Sequence, residues 1–174
     1  MAERKGETSL KLVGDCELEI SRVFRAPPRV VFEAWTKAEV VAKWWAPKSR
    51  ADIVECTADV RPGGGYRYVL RARPGHGFEK AGGDVFAFSG KYLEVTPFSK
   101  LVYTHVFEPM AHAGGCTIAV TFQQQGDSTL LISRETYSSR EVRQMVLDTG
   151  MEHGMRETMD QLDDLVAASV ARSR

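Results

Sequence analysis

Between residues 52 and 136 the chain carries a succession of segments that alternate apolar and polar side chains with no helical period between them, and this constrains the fold most. The segments run Asp52 to Ala58, Tyr66 to Ala72, Val85 to Val95, Leu101 to Phe107, Thr117 to Gln123 and Thr129 to Thr136. Alternation of this kind marks half-buried strands. Parallel pairing needs a long crossover, so strands that follow one another this closely predict an antiparallel meander. Pro62-Gly63-Gly64-Gly65, Thr96-Pro97, Gly114-Gly115 and Gly126-Asp127 supply the turn residues.

The flanks complete the architecture. Cys16 to Phe24 alternates Cys16, Leu18, Ile20 and Phe24 against Glu17, Glu19 and Ser21, with Arg22 as the exception on the apolar parity. Pro27-Pro28 ends that strand, and Pro28 suits the first turn of a helix carrying Val31, Ala34 and Trp35 on one stripe. Thr36 with Glu39 matches a capping box and predicts a second short helix running toward Trp44 and Trp45. From about Arg140 to Val170 one long helix is predicted, with Leu147, Met151, Met155, Met159, Leu162 and Val166 on its apolar stripe. Glu152, Arg156, Asp160 and Asp163 lie off the stripe, and Gly150 and Gly154 mark places where the helix bends or approaches another backbone. The expected fold is α+β: a curved antiparallel sheet of about seven strands gripping a long C-terminal helix, with two short helices after the first strand. One domain over residues 16–170 is expected, between polar tails at 1–15 and 171–174.

Composition excludes several functions. Lys plus Arg and Asp plus Glu are both 23, so no basic excess exists to neutralise nucleic acid or to dock on anionic lipid. No apolar run is long enough for a membrane span, and Met1 to Gly14 contains no signal-peptide core. Cys16, Cys56 and Cys116 are odd in number and widely spaced, which predicts free thiols packed as small hydrophobes in a reducing, cytoplasmic compartment. Catalytic and phosphate-binding motifs are missing, and His76, His105, His112 and His153 share no metal-ligand spacing, with His153 expected on the solvent face of the helix. No cofactor or metal is therefore expected. The basic group Arg61, Arg67, Arg71, Arg73 and Lys80 reads as a solvated face. The glycine-rich connection from Arg73 to Val85 reads either as a cover over a site or as an insertion.

The functional candidate is the gap between sheet and helix, because pockets form where two layers diverge. Tyr66 and Tyr68 share a parity with Leu70, and Tyr103 and His105 share one with Leu101 and Phe107. Trp44 and Trp45 close the second short helix, while Met151, Met155 and Met159 supply a polarizable stripe. Taken singly each of these side chains reads as core, and taken together they have the composition of a small-molecule pocket. Arg22 joins them as either a polar anchor in the gap or the partner of a buried carboxylate such as Glu135.

Residues Ile20 to Thr36 (ISRVFRAPPRVVFEAWT), Trp44 to Pro47 (WWAP), Arg61 to Gly65 (RPGGG), Gly90 to Pro97 (GKYLEVTP) followed by KLVYT, and the helical HGMRETMDQL together resemble a known family. They are similar to the START-like, Bet v 1-like helix-grip superfamily (SRPBCC), and within it to the C-terminal domain of the activator of heat shock protein 90 ATPase. The resemblance spans about residues 16–168. It implies the helix-grip fold, an interlayer cavity, and functions that in this superfamily range from lipid and hormone carriers to polyketide cyclases. Where the family's last helix usually carries Gly-Trp this chain has Gly154-Met155, and the connection from Arg73 to Val85 is enlarged. Both changes alter the volume or cover of the implied cavity.

The leading expectation is a module that binds a small apolar or amphipathic molecule. One rival is a cyclase- or hydrolase-like enzyme using Tyr66, Tyr103 or His105 as general acid or base, which perturbed titration of His105 beside a tyrosine in an open cavity would favour. The other is a co-chaperone-type interaction domain, favoured by an interlayer filled with side chains. The oligomeric state, a homodimer included, and any protein partner are left open by the sequence.

Overall fold

A computed structural model describes residues 6–75 and 83–174. Strands β1 (Ser9–Val13), β2 (Glu17–Phe24), β3 (Ala51–Ala58), β4 (Gly65–Ala72), β5 (Val85–Thr96), β6 (Lys100–Phe107), β7 (Cys116–Gln125) and β8 (Ser128–Tyr137) form one antiparallel sheet in the order β1-β2-β8-β7-β6-β5-β4-β3. Helices α1 (Pro28–Thr36) and α2 (Ala38–Val41) follow β2; α3 (Arg140–Asp148) and α4 (Met151–Arg172) follow β8. The expected α+β helix-grip architecture is therefore the observed one, with one strand more than foreseen.

That extra strand, β1, lies inside the segment expected to be a polar tail. Five residues with Leu12 56% exposed carry too little periodic signal to be read; pairing with β2, from Ser9↔Ser21 to Val13↔Glu17, fixes the strand from outside. At the other end of the chain the single helix expected from Arg140 to Val170 is two. Gly150 has φ +76°, a left-handed conformation that cannot continue a right-handed helix, and it divides α3 from α4. Gly154 lies inside α4 beside Pro47, whose Cγ would sit 3.6 Å from an added Cβ, so the helix passes that proline closely.

The capping box expected at Thr36 is not formed. Thr36 Oγ1 instead donates to Phe32 O, one turn back in α1, at 2.8 Å, which occupies the hydroxyl and leaves Lys37 as the N-cap of α2. α2 is consequently one turn long, and Trp44 and Trp45 stand in the turns after it.

The parity of each long strand decides what faces the helix. Leu18, Ile20, Arg22 and Phe24 of β2 are buried, as are Tyr66, Tyr68 and Leu70 of β4, while their neighbours point away. Bulges interrupt β3 between Ile53 and Glu55 and β5 between Tyr92 and Glu94. Bulges increase local twist and help an open sheet curve. On the outer face Arg67 pairs with Glu108, Arg73 with Asp52 and Arg61 with Asp59. That is the behaviour of a solvated charged surface; His76, Lys80 and the centre of the glycine-rich connection lie outside the described residues. Among the described residues no helix is long and apolar enough to cross a membrane.

Candidate functional site

The curved sheet and α3–α4 enclose a cavity of about 570 Å³. Its floor is the inward parity of β4 through β8: Tyr66, Tyr68, Phe88, Tyr92, Tyr103, His105, Phe107, Cys116, Ser133, Glu135 and Tyr137. Its roof is Val142, Met145 and Val146 of α3, the Thr149-Gly150 break, and Met151, Met155, Thr158 and Met159 of α4. Trp35, Trp44, Trp45, Pro47 and Arg50 complete the wall.

Every aromatic and Met position singled out from the sequence lines this space, namely Trp44, Trp45, Tyr66, Tyr68, Tyr103, His105, Met151, Met155 and Met159. Trp44 is pinned by donating its Nε1–H to Ala34 O at 2.8 Å, whereas Trp45 meets Tyr68, Phe88 and His105 edge-on within the wall. His153 is exposed on the far side of α4, as expected.

Arg22 does not line the cavity, which corrects its place among the site residues. The residue is 2% exposed, and its guanidinium donates to Asp160 Oδ1 at 2.7 Å, Asp163 Oδ2 at 3.0 Å and Thr8 Oγ1 at 3.0 Å, and so ties β2 to α4 and to the N-terminal segment. Glu135 was the wrong carboxylate to pair with it. Glu135 lies opposite Leu18, four positions along β2 from Arg22, or about 13 Å at roughly 3.3 Å per residue, beyond the reach of the side chain.

Glu135, Tyr92, Tyr137, Phe88 and Arg50 are cavity residues that the sequence reading missed. For Glu135 a signal existed: it shares the inward parity of β8 with Leu131, Ser133 and Tyr137. A charged residue on an apolar parity flagged Arg22, and the same test applied to β8 finds Glu135.

Hydrogen bonds give the cavity its chemistry. Tyr66 Oη donates to Thr104 O at 2.8 Å and also lies 2.8 Å from His105 Nδ1. The hydroxyl has one proton and the carbonyl can only accept, so Nδ1 carries the imidazole proton and donates to Tyr66, leaving Nε2 as an acceptor. Burial pushes the His105 pKa down to about 4 and the Tyr66 pKa well up, so both rings are neutral at pH 7. Burial likewise raises Tyr68 and Tyr103, and lifts Tyr92 to about 12. Tyr137 Oη donates to Glu135 Oε2 at 2.6 Å, and burial raises the Glu135 carboxyl against the lowering effect of that bond. Trp35 Nε1 donates to Tyr103 Oη at 3.3 Å. The arrangement offers fixed hydrogen-bond donors and acceptors in an apolar, aromatic volume; it holds no activated phenolate or thiolate.

Cys16, Cys56 and Cys116 are free and half-buried. Burial drives the Cys116 thiol up and Cys56 to about 11, so a thiol reagent at pH 8 is expected to label both slowly in the native protein and rapidly after denaturation, followed by mass spectrometry. Native labelling of Cys116 at the denatured rate would contradict its place in the cavity wall. Among the described residues no cluster of His, Cys, Asp or Glu is arranged to hold a metal ion.

Comparison with known proteins agrees with the fold. The family described as Activator of Hsp90 ATPase homolog 1-like protein matches residues 25–167. No curated protein sequence matches the chain significantly. Among solved structures, a Rhodobacter sphaeroides protein is 21% identical, with 93% of this chain and 99% of that one covered at a TM-score of 0.79. A Mycobacterium smegmatis protein is 25% identical, with 94% and 99% covered at 0.77. An AHSA1-like protein from Aeromonas hydrophila is 19% identical, with 87% and 93% covered at 0.63.

Proposed function

The chain belongs to the Activator of Hsp90 ATPase homolog 1-like family, with the helix-grip fold, and from that premise and its open aromatic cavity we propose that it binds a small, mostly apolar molecule between the sheet and α4. The observation that carries this is the unfilled volume: about 570 Å³ lies within the range of small-molecule pockets and is walled chiefly by aromatic and Met side chains. An interaction domain of the co-chaperone kind has no need of such a space, and a filled interlayer would have served it equally well. Enzyme chemistry has less support. His105 and Tyr66 are perturbed, but in the directions that hold both neutral, which suits a donor–acceptor pair better than a general base at pH 7.

Met155 provides the test, since it lines the cavity at a position where the family resemblance implies a tryptophan. In Met155→Trp the indole enters open volume, so stability is expected to hold or rise while binding of a fluorescent apolar probe falls by at least about tenfold. A loss of about 1–3 kcal/mol from overpacking, or unchanged probe binding by a folded variant, would sink the proposal. Native mass spectrometry of the purified protein is the companion measurement, looking for a co-purified molecule.

A further inference from the structure

Among the described residues Glu135 is the one carboxylate in the cavity wall. Among the described residues it has no ion-pair partner, and its sole hydrogen bond is the one Tyr137 donates to Oε2. The nearby cations are committed or placed elsewhere. Arg22 holds Asp160 and Asp163, and Arg134 on the opposite face of β8 holds Glu19. Arg143, buried on α3 above this end of the sheet, donates to the carbonyls of Gly14 and Glu17. Arg50 also lines the cavity, but it precedes β3, five strand positions from β8 in the sheet order, and no ion pair joins it to Glu135. The other titratable groups associated with Glu135 are Tyr137, Tyr103, Tyr66 and Cys116, and none of them can supply a positive charge.

A carboxyl in an apolar cavity favours a ligand that brings the missing charge, and aromatic faces attract the same charge through their quadrupoles. Two tyrosines share the inward parity around the Glu135 position: Tyr103 lies two strands across the sheet, beyond Ile118, and Tyr137 lies two residues along β8. We propose that the ligand is a lipophilic amine, its ammonium group set against the Glu135 carboxylate and its apolar body lying between the Met stripe of α4 and the aromatic floor. This rests on the binding function proposed above and names the chemical class that the cavity selects. Tyr137 then serves as a positioning residue, its hydroxyl holding Oε2 so that Oε1 faces the ligand. Burial raises the Glu135 pKa, as it must where no protein cation compensates, and an arriving ammonium would lower it again.

The test uses two ligands of one shape, 2-(2-naphthyl)ethylammonium and 2-(2-naphthyl)ethanol, titrated at pH 8 by tryptophan fluorescence and by calorimetry. The wild-type protein is expected to bind the ammonium at least about tenfold more tightly than the alcohol. Glu135→Gln, which keeps size and hydrogen bonding but removes the charge, is expected to abolish the preference for the ammonium over the alcohol. Equal affinities in the wild type, or a preference that survives in Glu135→Gln, would overturn the amine assignment while leaving the apolar pocket standing. Failure of both ligands to bind the wild type would overturn the pocket as well. Because the first comparison needs no variant, the inference is decided even if Glu135→Gln does not fold.

Discussion

Replacing Arg22 by methionine is expected to destabilise the protein by about 3–5 kcal/mol, measured by chemical denaturation. Arg22 and Asp163 are each 2% exposed, so deleting the guanidinium leaves the Asp163 carboxylate buried without its counter-charge. Asp160 is half exposed and can turn to water, and the loss is therefore expected to come chiefly from Asp163. The double variant Arg22→Met, Asp163→Leu removes both charges and is expected to recover most of the loss. If the single variant cost under about 1 kcal/mol, or the double variant cost as much as the single, the buried pair would not be what fastens β2 to α4.

Met159→Ala is expected to cost about 2–5 kcal/mol. The side chain is 5% exposed and belongs to the main core with Leu162 and Val166, so truncation opens space that the sheet beneath cannot close. Met155, one turn earlier, is only half-buried and borders the open cavity, so Met155→Ala should cost clearly less. A loss below about half a kcal/mol at Met159 would place the stripe in solvent and contradict the grip of the sheet on α4.

Where local pattern and tertiary packing agree, the fold is legible in the residues. Tyr66, Tyr68 and Leu70 alternate with Arg67 and Arg71 because one face of β4 meets the core and the other meets water, and the strand appears where the alternation does. β1 could not be read, because what holds it is the neighbouring edge of β2 and contacts to Thr8 from Arg22 and Arg156. The residue type marks the break at Gly150, but glycine adopts either hand, so the left-handed backbone there is visible only in the fold. At the site, the aromatic and Met residues were legible because a concave sheet gathers one parity of every strand. The fates of Arg22 and Glu135 were not, since which buried charge finds a partner depends on where α4 crosses the sheet, a distance that spacing along the chain does not encode.

The strand order has a kinetic side. β2 takes β8 as its inner neighbour, pairing Glu17 with Thr136, 119 positions apart. At about 5–20 residues per second, the ribosome delivers β8 some 6–24 seconds after β2. Through that interval Leu18, Ile20 and Phe24, all fully enclosed in the finished molecule, have only β1 and the two short helices for company. The β1–β2 pair is thus joined to the other six strands by the most distant contact in the sheet, and folding should be slow for a chain of this size, limited by that one encounter rather than by the turns, which form early and locally.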